Sequence, residues 1–278
     1  MEKPTQDVVD YYHTRESRWG YQTVLHGIKH FGYYPQGHED ISMSEAVENM
    51  MEQVGSRLNL PSGSHVLDAG CGEGATAIHL AQSRRYDIEG VDILDFNIAR
   101  GKLRAKENGA TVNFTQASYD KLPFGDNSFD GIYTLETLLH APDVESALKE
   151  FKRVLKPGGK LVMFEYTMPE ISEMDPRQQR IFRTIAEGSA MHSFLSFTHG
   201  SFPKRLDDAG FRDVKVEDLT DRMVPMLKRF HRLGIVPYQI IKLLGKQKQF
   251  VNTTSGVELY RYRDIFRYNA ITANKSKA

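Results

Sequence analysis

The chain has one cysteine and one tryptophan in 278 residues and no excess of either charge. Each scarcity excludes something. A lone cysteine, Cys71, can form neither an internal disulfide nor a cysteine-cluster metal site. Lys and Arg total 36 and Asp and Glu total 36, so there is no global basic field to hold nucleic acid. No stretch approaches the ~20 apolar residues of a membrane span. The opening Met1-Glu2-Lys3-Pro4-Thr5-Gln6-Asp7 lacks the apolar core of a targeting segment, so a cytoplasmic location is expected. The histidines never take the H-E-x-x-H spacing of a zinc helix, and no metal is expected. Repeats and low-complexity tracts are absent. The remaining composition, 40% hydrophobic and 26% charged, is that of a soluble globular protein able to bury a core.

What is there is organised around Ser64 to Thr76 (SHVLDAGCGEGAT). A short apolar run ends in Asp68, turns through Gly70, Gly72 and Gly74, and opens an alanine-rich helical pattern. Glycines permit a tight turn and close approach of a ligand, and a strand, glycine turn and helix start form a nucleotide-binding corner. The order strand 65–69, helix 74–83, strand 86–93, helix 95–107, strand 112–117, strand 129–135, helix 143–154, strand 160–166 then follows. That alternation predicts an α/β fold: a doubly wound, mostly parallel seven-stranded sheet of Rossmann-like type, with a helical N-terminal arm and a helical insertion before the last strand. The expected division is an aromatic arm or lid over 1–60 and a main domain over 61–278. Within the latter, 168–210 and 222–257 are expected to cover the acceptor. Residues 175–188 and 200–209 read as helices and 212–219 as a strand. Residues 223–247 form a basic amphipathic helix, which reads as a covering insertion or as at most a peripheral membrane contact. Alternation through Tyr260-Arg261-Tyr262-Arg263 predicts a final strand over 258–273.

Ligands of such sheets bind beyond the carboxyl ends of the strands. Those ends carry Asp68, Asp92, Ala117 with Ser118, Glu136 and Glu165, and none supplies an Arg or Lys for a phosphate. Asp92 follows the glycine turn at the spacing of a carboxylate that accepts two ribose hydroxyls. A corner rich in acids suits S-adenosyl-L-methionine, which carries a sulfonium and an ammonium and no phosphate.

The combination Val66-Leu67-Asp68-Ala69-Gly70-Cys71-Gly72, Gly90-Val91-Asp92, Leu122-Pro123-Phe124, Ser128-Phe129-Asp130 and Arg153-Val154-Leu155-Lys156-Pro157-Gly158-Gly159 resembles the class I S-adenosylmethionine-dependent methyltransferases over roughly residues 60–220. That resemblance implies a cofactor group of Asp68, Gly70, Gly72, Asp92, Ile93, Asn97, Ala117, Ser118, Tyr119 and Glu136. Many relatives carry Asp where this chain has Ser118, so adenine recognition is expected to rest on Ser118, backbone groups and Tyr119. Ile132 to Pro142 (IYTLETLLHAP), Phe164-Glu165-Tyr166-Thr167-Met168, Glu187-Gly188, Trp19-Gly20 and His30-Phe31-Gly32-Tyr33 are similar to the sterol 24-C-methyltransferase-like branch, which includes tocopherol-type enzymes.

Methyl transfer from a sulfonium is an in-line displacement that gains from alignment in a dry pocket. Candidate proton and charge handlers are His140, Glu136 and Glu165. The alternative for His140 is a cap or structural role at the start of the next helix, and for Glu136 a contact to the cofactor rather than the acceptor. Tyr12, Trp19, Tyr21, His30, Tyr33, Phe194 and Phe197 are the expected substrate-pocket residues, with aromatic faces suited to an apolar or cationic guest. The expected reaction is methylation of a small lipophilic acceptor, foremost an alkene carbon of an isoprenoid or sterol-like molecule. The alternatives are an O- or N-methyltransferase of a phenol, alkaloid or glycoside, and a catalytically silent cofactor-binding subunit. Partners reduce to the small-molecule acceptor, with room for a homo-oligomer.

Overall fold

The computed structural model describes residues 3–14, 16–17 and 27–277. Trp19 and Tyr21 lie outside the described residues. Helix α1 (Lys3–His13) precedes α2 (Met43–Leu58), whose start is fixed by Ser42 Oγ accepting the Glu45 N–H at 3.1 Å. The sheet contains β1 (His65–Ala69), β2 (Asp87–Asp92), β3 (Val112–Gln116), β4 (Phe129–Leu135), β5 (Leu155–Thr167), β6 (Phe211–Asp218) and β7 (Arg267–Lys275). Among them run α3 (Ala75–Ser83), α4 (Asp95–Glu107), α5 (Val144–Val154), α6 (Pro176–Gly188), α7 (Ser201–Asp208), α8 (Thr220–Leu243) and α9 (Val251–Arg261).

The strand order is β3-β2-β1-β4-β5-β7-β6, and β7 alone runs antiparallel to its neighbours. Order reverses between β1 and β4, so the crevice above their carboxyl ends is the ligand position of this topology. Val66, Leu67, Ile132, Tyr133, Leu161 and Val162 are fully buried, as strands covered on both faces require.

The C-terminal part departs from the sequence expectation. Instead of a strand from 258, the chain forms α9 to Arg261 and begins β7 only at Arg267. Val251, Thr254, Val257 and Glu258 are buried at helical spacing, and α9 packs along α8. The alternating Tyr260-Arg261-Tyr262-Arg263 is the end of a helix and its exit turn, so tertiary packing overrides the local period.

The segment 27–34 ties the arm to the main sheet. Phe31 N–H donates to Glu136 Oε1 at 2.7 Å, Tyr33 N–H to Ala46 O at 2.7 Å, and Tyr34 N–H to Arg222 O at 2.9 Å.

Candidate active site

The corner is built by glycines in positive-φ conformations and by close packing. Gly70 has φ 89°, and a Cβ there would lie 2.2 Å from Thr137 Oγ1, so a side chain is excluded. Gly72 has φ 53° and would meet nothing within 4 Å, so the space beside its backbone is open to a ligand. The N–H groups of Gly70 and Cys71 both donate to Val91 O at 2.9 Å, which clamps the loop against the end of β2. Asp92 completes the clamp by accepting from Gly72 N–H at 2.8 Å, Leu94 N–H at 2.9 Å and Asn97 Nδ2 at 3.1 Å.

Two further acids lie behind this loop. Asp68 is buried and accepts the Tyr133 hydroxyl at 2.7 Å; burial pushes its carboxyl up to about 7 against that bond, with the Asp92 charge adding to the rise. Glu136 follows β4 with φ 55°, a conformation that non-glycine residues hold only where surrounding contacts enforce it. Here the enforcers are Phe31 N–H, the Tyr268 hydroxyl at 2.8 Å and the Tyr166 hydroxyl, all donating to the carboxylate. Burial still pushes Glu136 up to about 7.

Two cavities meet at this point. The smaller, of about 100 Å³, is the strand-end corner. The larger, of about 640 Å³, is predominantly apolar and lies between the arm, α6, α8 and α9. Tyr12, Lys29, His30, Glu136 and His140 line both. The larger volume is in the range of sites for drug-sized ligands.

Of the ten expected cofactor residues, Asp68, Gly70, Gly72, Asp92, Ile93, Asn97, Ser118, Tyr119 and Glu136 line the corner. Ala117 does not; its N–H instead donates to Asp92 O and holds the loop after β3. Tyr12, His30 and Phe194 line the large cavity. Phe197 and Tyr33 line neither. The Phe197 ring is fully buried against Phe202, with centroids 4.8 Å apart, and Tyr33 spends its N–H on α2. His140 and Glu136 stand at the junction, but Glu165 sits beneath it. Glu165 Oε1 accepts the N–H groups of Thr137 at 3.2 Å and Leu138 at 2.8 Å, while burial raises its carboxyl well above the usual range. It positions the turn Leu138–His140 that carries the histidine.

The two histidines at the junction are both neutral, and their tautomers follow from their neighbours. His140 Nδ1–H donates to Ala190 O at 3.0 Å and its Nε2 accepts the Tyr12 hydroxyl at 3.1 Å. His30 Nδ1–H donates to Phe31 O at 2.9 Å, which leaves Nε2 as a lone-pair acceptor with no partner among the described residues. Burial lowers each to about 4.

Lys29 is the residue that the strand-end argument missed. Its Nζ donates to Asn97 Oδ1 at 2.7 Å and lies 4.7 Å from the centre of the Tyr12 ring. Burial lowers its pKa against the opposing pull of Asp92 and Glu73. The only available signal was its place beside His30 in the aromatic arm. Even with Lys29, the described lining of the corner holds four carboxylates, Asp68, Glu73, Asp92 and Glu136, and no arginine. That donor set and the open space at Gly72 fit S-adenosylmethionine and disfavour a pyrophosphate.

Comparison with known proteins agrees. A model described as a methyltransferase domain matches residues 67–163. The S-adenosyl-L-methionine-dependent Diels-Alderase iccD of Talaromyces variabilis is 33% identical over 95% of this chain and 93% of its own length. The sterol 24-C-methyltransferase ERG6B of Gibberella zeae is 32% identical over 64% of this chain and 47% of its own. Among solved structures, the [4+2]-cyclase SpnF superposes with a TM-score of 0.75 at 23% identity, covering 95% of this chain and 97% of that one; it shares the fold. The chain belongs to the class I S-adenosylmethionine-dependent methyltransferase family. It is an enzyme of that class, and S-adenosylmethionine is its cofactor.

Proposed function

We propose that the enzyme holds S-adenosylmethionine in the strand-end corner and an unsaturated, lipophilic natural product in the adjoining cavity, and that it methylates an unsaturated carbon of that substrate. The observation that carries this reading is the apolar cavity of about 640 Å³ that shares five residues with the cofactor corner. When bound, the cofactor supplies an electrophilic methyl group and a positive charge. The protein's own contribution is to align the alkene, exclude water and manage the charge left after methyl addition. Glu136 and the rings of Tyr166 and Phe31, with centroids 6.2 Å apart, face that charge. His30 Nε2, unprotonated and without a partner among the described residues, supplies a base for the departing proton. His140 acts with Tyr12, since its Nε2 is already bonded to that hydroxyl.

A second reading has its own observation. The whole-length relative is named a Diels-Alderase, and a [4+2] cycloaddition converts a polyene to its cyclic isomer without losing a proton. In that case the cofactor is held and not consumed, and the protein folds the chain in the cavity. Lys29, at the junction, would donate to a carbonyl of the substrate and polarise it.

Incubation with labelled cofactor and a panel of linear polyenes, isoprenoids and phenols, read by mass spectrometry, separates the two. Transfer of label to carbon with release of the demethylated cofactor supports the first reading. A product of unchanged mass, formed only when cofactor is present, supports the second and sinks the first. Transfer solely to oxygen or nitrogen sinks both.

A further inference from the structure

Outside the two cavities, one face of the molecule keeps large aliphatic side chains in water. Of eight exposed large hydrophobic residues among those described, six lie between 233 and 250. Leu233, Val236, Ile240, Leu243 and Leu244 recur at intervals of three, four, three and one along α8 and its C-cap, so they form a single stripe. Their exposures run from 59% to 87%, whereas Tyr238 and Ile241 on the packed side of the same helix are buried. A contiguous apolar stripe of this kind marks an interaction site.

Charge identifies the occupant. In a chain with equal numbers of acids and bases, residues 222–257 contain seven Lys and Arg and no Asp or Glu. Arg229 is spent inside the protein, on Ile41 O at 2.6 Å and the Tyr34 hydroxyl. Arg232, Lys242 and Lys246 are exposed on the same helix and its exit turn. An isologous contact with a second copy would bring these cations together. A surface that is apolar inside and negative at its rim would satisfy both features.

The stripe also adjoins the large cavity. Leu233, Gly234 and Pro237, on the edge of α8 next to it, line that cavity. Aliphatic groups for the bilayer and the wall of the lipophilic site therefore share one helix.

We propose that the outer face of α8, with the turn 244–250, docks in the plane of an anionic lipid bilayer. The helix does not cross it: no helix among the described residues is long and apolar enough to span a membrane. Leucine and isoleucine side chains enter the acyl boundary, the cations meet lipid phosphates, and the cavity wall at Leu233 and Pro237 lies next to the membrane. A lipophilic substrate then enters from the bilayer without crossing water. This inference goes beyond the reaction proposed above and holds for either chemistry.

The test is co-sedimentation of the full chain with phosphatidylcholine vesicles, with and without phosphatidylserine. Binding is expected on the anionic vesicles and weak on the neutral ones, and it should fall as salt is raised. Ile240→Glu with Leu243→Glu should lower the partition coefficient at least about tenfold. Lys242→Glu with Lys246→Glu should do the same on anionic vesicles alone. Both variants alter exposed side chains, and unchanged cofactor affinity by calorimetry reports that they remain folded. Wild-type protein that stays in the supernatant with anionic vesicles overturns the proposal. So does equal binding to neutral and anionic vesicles, or variants that bind like wild type. A dimer in solution that dissociates on Ile240→Glu with Leu243→Glu assigns the face to a second copy and also overturns it.

Discussion

The two cavities sit side by side and are made in opposite ways. The cofactor corner is drawn mainly from the glycine turn and strand ends within 68–142, with the arm closing over it, and its polar groups hold one another in place. Asp92 alone accepts from three donors on the loop and α4. The large cavity is drawn from the arm, α6, α8 and α9, segments separated by more than two hundred residues, and its lining is mostly apolar. Directional bonds fix a site to one ligand, whereas apolar walls accept whatever fills them. The corner should therefore respond steeply to single polar changes, and the cavity should respond to volume.

Asp92→Ala is the largest expected break. It removes the carboxylate expected to meet the ribose and frees the N–H groups of Gly72 and Leu94 together. Charge-assisted bonds of this kind are worth about 3 kcal/mol, so cofactor affinity should fall about a hundredfold in calorimetry. An unchanged dissociation constant would remove Asp92 from the site. The pH response of the corner comes next. Asp68 in the cofactor-free protein is pushed up to about 7 by burial, so it is largely protonated below that pH. A cationic ligand favours the carboxylate, so binding must expel a proton. Affinity should weaken by about tenfold per pH unit below 7 and level off above it. Calorimetry in two buffers of different ionisation enthalpy counts that proton. Asp68→Asn should remove its share of the slope and leave that of Glu136, which burial also pushes up to about 7, and a slope unchanged in that variant would show that Asp68 does not face the cation.

The same contrast decides what could be read from the sequence. Nine of the ten expected cofactor residues line the corner, because a glycine turn and the acids at strand ends occur at spacings set by the fold itself. The cavity offers no such spacing. Tyr12, His30 and Phe194 were visible as aromatic or histidine positions, but Phe197 turned out to pack on Phe202 in the core. Glu16, Asn252 and Thr253 line the cavity because the Glu16 carboxylate accepts the backbone N–H groups at the start of α9, a contact across 236 residues that no local pattern announces. Lys29 escaped for a different reason: it reaches the corner from the arm rather than from a strand end. The misread final strand belongs to the same region, where α9 is defined by the helix it packs on.

A change of volume should separate the cavities cleanly. Met191 lines the large cavity and not the corner. Met191→Trp should raise KM for a lipophilic substrate by about tenfold, in line with the 1–3 kcal/mol of overpacking, and leave cofactor affinity unchanged. Parallel loss of both would mean that the two spaces are one site.

Glu165→Gln is expected to do least, and that makes it the sharpest probe of the boundary between the cavities. The residue lies near the carboxyl end of β5 as a candidate proton handler should, yet it lines neither space. Burial raises its carboxyl well above the usual range, one oxygen accepts from Thr137 and Leu138, and the other is buried with no partner among the described residues. A glutamine keeps the accepting oxygen and the shape, so stability and kcat should change by no more than about 1 kcal/mol equivalent. Glu165→Leu, which leaves two backbone N–H groups unsatisfied, should cost about 1–3 kcal/mol per group and release the turn that carries His140. Thermal unfolding and kcat then move together in the leucine variant and stay still in the glutamine one. A glutamine variant that folds normally but loses turnover would return Glu165 to the proton chemistry and extend the reactive site below the turn.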